Sequence, residues 1–356
     1  MKKFFLKFGL ALNLGSVLLL LIAYLAPYVP PDSFWPISFF GLAYPYFLVL
    51  NIFFVVFWGL QRSKRLWISL LALVLGLTNF TNTYQLFPQL RSGGSGIKVL
   101  SFNVHGFRSD LRSSKVKSPK IVDYFKAHGS EIICLQEAIF VKGGKLSPEG
   151  LKAALPAVDF YQLASNGGHT GLITLSKFPI INHGEIRFPG TSNLVLFTDL
   201  KVNSRQTIRV YNCHLQSYSI DPDDYSVIDD LGSSPNREQI KEARKVSFKL
   251  IKGFELRAYQ ARRVAEHIQK SPFPVLVCGD FNDTPLSYAY HIVRGNLKDA
   301  FVEAGWWRSN TYNGELPSFR IDYMLFDSKF TVSSYARDRV KLSDHFPIRC
   351  RLEIKD

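Results

Sequence analysis

Three apolar runs within the first ninety residues constrain this chain more than anything that follows them. FGLALNLGSVLLLLIAYLA covers 8–26 behind Met1-Lys2-Lys3, and ISFFGLAYPYFLVLNIFFVVFWGL covers 37–60. LWISLLALVLGLTNF covers 66–80 and extends through TNTYQLF to Phe87. A helix needs about 20 apolar residues to cross a hydrocarbon core, so the runs predict three spans, over 5–26, 37–60 and 66–87. A cleaved secretory leader would account for the first run alone, and that run exceeds the usual apolar stretch of about 7–15 residues. Asn79 and Asn82 make the third span the weakest.

Charge then orients the chain. Lys2, Lys3 and Lys7 precede the first run, QRSKR (61–65) joins the second to the third, and the 27–36 loop carries only Asp32. The positive-inside rule places the N-terminus and the 61–65 loop in the cytoplasm, and an odd number of spans delivers the rest to the far side. The expectation is an integral protein of a bacterial inner membrane, with the lipid bilayer as partner and its C-terminal part extracytoplasmic.

Residues 1–90 form the membrane region in this reading. RSGGSG (91–96) is a flexible linker, and 97–356 has the polarity and length of one globular domain. The net charge is +14, of which residues 1–90 hold six basic side chains and one acid, leaving +9 on the remainder. A basic soluble part favours an anionic partner: nucleic acid, a phosphorylated small molecule or an acidic lipid surface. Cys134, Cys213, Cys278 and Cys350 fall in apolar strand-like runs with no C-x-x-C pair. That argues against zinc. An extracytoplasmic domain permits disulfides, but free, buried thiols are the preferred reading.

After Ile97 one pattern recurs: a short apolar strand that ends in acids, amides or histidines. IKVLSFNVHG (97–106) ends at Asn103 and His105, EIICLQEA (131–138) at Gln136 and Glu137, and TIRVYNCHLQS (207–217) at Asn212 and His214. VLVCGDFNDTP (275–285) presents Asp280, Asn282 and Asp283, SFRIDYMLFD (318–327) carries Asp322, and LSDHFPIRCRLEI (342–354) sets Asp344 and His345 before a last strand. GLITLSKFPI (171–180) is a further strand, and SPKIVDYFKAHG (118–129) and ELRAYQARRVAEHIQK (255–270) are helical. The class is α/β, with a large, partly antiparallel sheet system. Turn chemistry alone explains one such strand end, not six. Oxygen donors without cysteine suit Mg²⁺, Mn²⁺ or Ca²⁺, and histidines beside them suit proton transfer. Hard cation, histidine and water together describe phosphoester hydrolysis.

The ordered series SFNVHG, CLQE, GLITLSKFPI, NCHL, GDFND, RIDYML and SDHFPI resembles the endonuclease/exonuclease/phosphatase superfamily, with its deoxyribonuclease I-like fold. The resemblance implies a four-layer α/β/β/α sandwich over 97–356 and a divalent cation, usually Mg²⁺. It implies Glu137 as principal metal ligand, with Asn103 and Asp344 completing the site. Asp280 would orient or activate water, and Asn282 would hold a phosphate oxygen. His214 and its supporting Asn212 would bind the phosphate, with His214 alternatively acting as acid. Asp322 would orient His345, which would bind phosphate or move a proton. His105 stands where some family members carry an acid. Asp283 reads as a turn residue, and His169 in NGGHTGL as a loop residue.

The segment 218–252 is longer than the compact family pattern. It begins acidic (DPDDYSVIDD, 221–230) and becomes a basic helical run. It reads either as a Lys/Arg-rich lid or membrane-facing arm, or as a solvated helix with pairs such as Glu242–Lys245. Arg257 and Gln260 match the helix that the family carries in this connection. The expected substrate is a phosphoester, in nucleic acid or in a lipid headgroup, with no obligate protein partner. A phosphodiesterase or endonuclease is the leading reading. A sphingomyelinase-like or phosphoinositide-type lipid enzyme is the first alternative, and a catalytically silent binding module the second.

Overall fold

Alternation along the central strands sorts their side chains onto two faces. In the strand Val275–Asp280, Leu276 and Cys278 face one way while Val275 and Val277 face the other, and all six residues are buried. A strand buried on both faces must lie inside layers. The computed structural model describes residues 2–87, 96–107, 118–139, 144–165, 167, 170–218, 237–314 and 318–355.

Two six-stranded sheets form the layers. The first holds β1 (Ile97–Asn103), β2 (Ile132–Ile139), β3 (Phe160–Ser165), β4 (Thr170–Ser176), β11 (Phe330–Arg337) and β12 (Ile348–Ile354), in the spatial order β11-β12-β1-β2-β4-β3. The second holds β5 (Ile180–Arg187), β6 (Leu194–Lys201), β7 (Thr207–His214), β8 (Val275–Asp280), β9 (Lys298–Asp299) and β10 (Asp322–Phe326), in the order β5-β6-β7-β8-β10-β9. Val99 and Cys134 of the first sheet meet Val210, Leu276, Cys278 and Met324 of the second. The helices Ser118–His128 and Pro148–Ala154 cover the outer face of the first sheet through Ile121, Phe125 and Leu151. Helix Arg237–Gln269 covers the second through Ala261 and Val264. The result is a mixed α/β sandwich of two sheets between helices. All four cysteines are free and buried.

The inward-facing rows carry the functional consequence. Within each central strand this row begins apolar and ends polar: Val99 to Asn103, Cys134 to Gln136, Val210 to His214, Leu276 to Asp280. β1 runs parallel to β2, and β7 parallel to β8, so these polar ends collect at one edge. β10 is antiparallel to β8 and pairs Asp322 with Asp280. Bottom apolar, top polar: the site is built by strand direction.

The helix Arg237–Gln269 is continuous, so part of the additional segment is helical and solvated, with Lys245 paired to Glu242. The acidic stretch 221–230, linker residues 91–95 and His169 lie outside the described residues.

Among the described residues one helix, Phe4–Ala23, is by itself long and apolar enough to span a membrane. The second run is two helices, Pro36–Leu42 and Tyr44–Leu60, bent by 61°, and the third is Leu66–Leu75 and Leu77–Thr83, bent by 66°. The third run differs most from expectation, because Leu66–Leu75 is only about 15 Å long at 1.5 Å per residue. The three runs nonetheless pack together through a polar knot. Asn13 Nδ2 donates to Ser69 Oγ at 2.5 Å, Ser69 Oγ to Asn51 Oδ1 at 2.9 Å, and Trp58 Nε1 to Asn13 Oδ1 at 2.9 Å.

This apolar group docks directly on the sandwich. Asp32 pairs with Arg262 at 2.7 Å, and Asn82 accepts from Arg294 at 2.8 Å and from Arg320 at 2.7 Å. Leu286 is buried among Leu20, Tyr44, Leu48 and Ala72. A Cβ on Gly41 would collide with the Leu286 carbonyl, so glycine permits this approach.

Candidate active site

Glu137 is the residue that strict alternation would misplace. Its neighbours Ile133 and Leu135 face the outer helices, and residue 137 should follow them. The pairing of β2 with β4 instead slips between Leu135 and Ala138, and Glu137 takes a φ of 54°. A bulge of this kind re-aims a side chain, and here it turns the carboxylate into the cleft. His105 (φ 41°) and Asn282 (φ 54°) share the left-handed backbone. Non-glycine residues held there store strain, and such strain clusters at functional sites. Gly279, at φ 137°, has no room for a Cβ against the Cys213 backbone, which lets β8 deliver Asp280 close beside β7.

The polar strand ends form one connected network. Asn103 Nδ2 donates to Glu137 Oε1 and to Asp280 Oδ2, each at 3.0 Å. Its Oδ1 accepts from the His105 amide at 3.0 Å. Glu137 Oε1 lies 3.4 Å from His214 Nε2, and Oε2 lies 3.4 Å from His105 Nδ1. His105 Nδ1 also lies 3.7 Å from Asp344 Oδ2, so the imidazole stands between two carboxylates. Ser343 Oγ donates to Asp344 Oδ1 at 3.0 Å. His345 Nδ1 meets Asp322 Oδ2 at 2.9 Å, and its Nε2 faces Asp280 Oδ2 at 3.7 Å. Asn282 binds Asp280 twice, from its backbone amide at 2.8 Å and from Nδ2 at 3.2 Å.

The electrostatics follow from burial and pairing. Burial works against charge on Glu137, yet the hydrogen bond from His105, the charge of His214 and the Asn103 amide hold its carboxyl well below the usual range. Burial and the neighbouring Asp322 push Asp280 up to about 6, against the pull of His345, His214 and Asn103. Burial alone would lower His345, but the charges of Asp322 and Asp280 and the Asp322 hydrogen bond carry it well above the ordinary imidazole value. The hydrogen bond to Glu137 raises His105, against its own burial.

The expected site residues Asn103, Glu137, His214, Asp280, Asn282, Asp322, Asp344 and His345 are therefore brought together. Asn212 is not at the surface of this group. It is fully buried between the sheets, where its amide donates to the Leu135 and Ile173 carbonyls and its Oδ1 accepts from Gln136 at 2.7 Å. Asp283 is more than a turn residue: it accepts from Arg257 Nε at 2.9 Å, and both side chains are buried. The signal for that pair was an arginine on the apolar face of an amphipathic helix. Thr311 was not readable at all, yet its Oγ1 accepts from the Asp322 amide at 3.1 Å.

Among the described residues, two groups could take a cation. Asp280, Asp322 and His345 bring donor atoms within 4.8 Å of one another. They are buried, and both nitrogens of His345 already face carboxylates, which suits proton handling better than ligation. Glu137 keeps 31 % of its side chain exposed and stays charged, with Asn103 beside it and Asp344 across His105. His214 Nε2 next to it is buried and makes no hydrogen bond among the described residues. Carboxylate and carboxamide oxygens of this kind fit a hard divalent cation.

Residues 100–345 match the Endonuclease/Exonuclease/phosphatase family, and residues 2–83 match a domain of unknown function. No curated protein matches the chain. Among solved structures, an endonuclease/exonuclease/phosphatase from Beutenbergia cavernae is 17 % identical, covering 74 % of this chain and 72 % of its own, with a TM-score of 0.50. A D. rerio TDP2 humanized by 14 mutations is 18 % identical over 73 % of this chain and 100 % of its own, with a TM-score of 0.52. The human Nocturnin catalytic domain with bound sulfate is 18 % identical over 73 % and 95 %, with a TM-score of 0.50. At these identities the likeness is one of fold.

Proposed function

The chain belongs to the endonuclease/exonuclease/phosphatase family, and from that premise we propose that it is a membrane-anchored, divalent-metal-dependent phosphoester hydrolase. The observation that carries this reading is the buried row Asp280–His345–Asp322 beside the charged, part-exposed Glu137. Asp280, ionised above about pH 6, accepts a proton from the attacking water and aims its oxygen at phosphorus. Asn282 holds that carboxylate in place. Asp322 fixes the His345 tautomer, so that Nε2 can donate towards the phosphoryl group. His214, with Nε2 unsatisfied, contacts a phosphoryl oxygen. The new bond joins water oxygen to phosphorus, the P–O ester bond breaks, and the departing oxygen takes up a proton.

Glu137, Asn103 and Asp344 would hold Mg²⁺, or Mn²⁺ or Ca²⁺ in its place. When bound, the cation neutralises charge that builds on the phosphoryl oxygens. Membrane anchoring is supported by the Phe4–Ala23 helix and by the packing of the two bent pairs against it, each bent pair counted as one span. The positive charges of Lys2, Lys3 and Lys7 at the start of the first helix and of the 61–65 turn favour an orientation with residues 97–356 outside the cytoplasm.

The test uses the full chain in mild detergent with bis-(p-nitrophenyl) phosphate, comparing Mg²⁺, Mn²⁺ and EDTA, with Asp280→Asn alongside. Metal-dependent turnover lost in the variant supports the hydrolase. Absence of turnover together with absence of metal binding would leave a silent binding module.

A further inference from the structure

A cavity of ≈270 Å³ lies where the apolar helices meet the sandwich, between Tyr46 and Val49 on one side and Pro285, Arg308 and Phe319 on the other. Its sandwich wall is made of the segments that carry the candidate site. Thr284 and Pro285 follow Asp283 directly, Phe319 and Arg320 lead into Asp322, and Asn310 precedes Thr311, which anchors the Asp322 amide.

The other wall faces outward. Tyr46 and Val49 are 59 % and 63 % exposed on the helix Tyr44–Leu60, near the end of that helix remote from the basic 61–65 loop. Beside the cavity, Gln85 pairs with Trp307, and Trp306, Trp307, Leu86 and Phe87 all present large apolar surface. An exposed patch of this kind is unusual on a protein surrounded by water. At the rim of a bilayer it is expected, because tryptophan settles at headgroup level. Arg308 is exposed there and makes no ion pair or hydrogen bond among the described residues.

We infer that this cavity receives the headgroup of a phosphorylated membrane lipid, and that the substrate of the proposed hydrolase is a lipid phosphoester drawn from the bilayer. This rests on the hydrolase and span readings above. No candidate site residue lines the cavity, so Arg308 meets the anionic head as the lipid leaves the bilayer, ahead of its transfer to the neighbouring site, and the chain lies along Tyr46 and Val49. A nucleic acid would ask for something else, a track of cations along its repeated phosphates. Among the described residues the cavity offers one unpaired cation, since its other arginine, Arg320, is buried against Asp299 at 2.7 Å. The reaction is the hydrolysis already described: water adds to phosphorus, the lipid P–O bond breaks, and the released alcohol carries a proton.

The experiment reconstitutes the full chain in phosphatidylcholine vesicles. It follows turnover of phosphatidylglycerol and phosphatidylinositol, of soluble bis-(p-nitrophenyl) phosphate, and of plasmid DNA. Arg308→Gln removes the cation, and Val49→Trp fills the outward mouth at an exposed position. Each is expected to lower the ratio of lipid to aryl-ester turnover about tenfold, the scale of one charge-assisted contact. Aryl-ester turnover without lipid turnover overturns the inference and leaves the hydrolase standing. So does lipid turnover that neither variant changes, or nicking of plasmid as the main activity. Absence of turnover of lipid, aryl ester and plasmid alike under every cation sinks the hydrolase reading, and the inference with it.

Discussion

His345 is held between two acids, with Nδ1 2.9 Å from Asp322 Oδ2 and Nε2 3.7 Å from Asp280 Oδ2. The shorter contact fixes the ring, and the longer one is beyond hydrogen-bond length, so Nε2 is not tied to Asp280. Asp322→Asn keeps the shape but removes the charge that sustains the imidazolium. Its kcat should fall by roughly 10²–10⁴-fold, as expected for loss of acid–base support. The descending alkaline limb of the pH profile should also move to lower pH, because a less supported His345 gives up its proton sooner. A lowered kcat with an unmoved limb would reduce Asp322 to a packing role.

Asp280 makes a separate prediction with the opposite sign. Its folded value, about 6, lies above the ordinary 3.8. Between those values the native state binds more protons than the unfolded chain, so stability declines as pH rises through this window. Above about pH 6 the loss is complete. The metal-free Asp280→Asn variant should therefore gain Tm relative to the parent as pH rises from 4 to 6, and keep that gain above it. Activity runs the other way, since only ionised Asp280 can take a proton. The parent's acidic limb should fall near pH 6, and a Tm difference that is flat from pH 4 to 7 would contradict the assignment.

Glu137 is predicted to dominate cation affinity. Glu137→Gln preserves the Asn103 contact and the size of the side chain while removing the charge. Calorimetric titration with Mn²⁺ should show affinity reduced by at least about tenfold. Chelation should abolish turnover in the parent, and added Mg²⁺ or Mn²⁺ should restore it. Equal Mn²⁺ affinity in parent and variant would move the cation to the Asp280 group.

Arg257 and Asp283 form a buried pair that sets the loop behind the site. Arg257 also donates to the Gln216 carbonyl at 2.8 Å and stacks over Tyr218 at 4.1 Å. Arg257→Met leaves Asp283 charged and without its partner, a change that costs about 3–5 kcal/mol in buried pairs. Denaturant unfolding should show that loss, and Arg257→Lys should recover little, because a point charge cannot reproduce the fork. A loss within about 0.5 kcal/mol, the range of surface substitutions, would show that the pair is not structural.

What the sequence made legible was whatever repeats within one strand. Val99-x-Ser101-x-Asn103 and Leu276-x-Cys278-x-Asp280 each show an inward row that passes from apolar to polar, and that gradient predicts a site at the strand ends. Glu137 was legible only through the CLQE motif, because the slip in β2 that turns it inward leaves no trace in periodicity. Asp283 looked like a turn residue for a related reason: its partner Arg257 lies on another element, and local pattern carries no long-range pairing. The breaks near Ala43 and Gly76 in the apolar runs were likewise hidden, since hydropathy counts residues and does not register a bend.

The polar knot in the apolar helices yields the last prediction. Asn13, Ser16, Asn51, Ser69 and Trp58 are almost wholly buried, and their hydrogen bonds join three helices. Asn51 is the hub: Oδ1 accepts from Ser69, and Nδ2 donates to the Ser16 and Phe47 carbonyls. In a bilayer such bonds each contribute about 0.6–2 kcal/mol, a modest value because separated helices find other partners for the same groups. Asn51→Leu keeps the volume and leaves the Ser69 hydroxyl and the Ser16 carbonyl to find other partners. The full chain in detergent should then lose thermal stability. Turnover of a soluble phosphoester at low temperature should persist, since no residue of the knot touches the candidate site. Unchanged stability in Asn51→Leu would mean that the helices are held by apolar packing and by the sandwich beneath them.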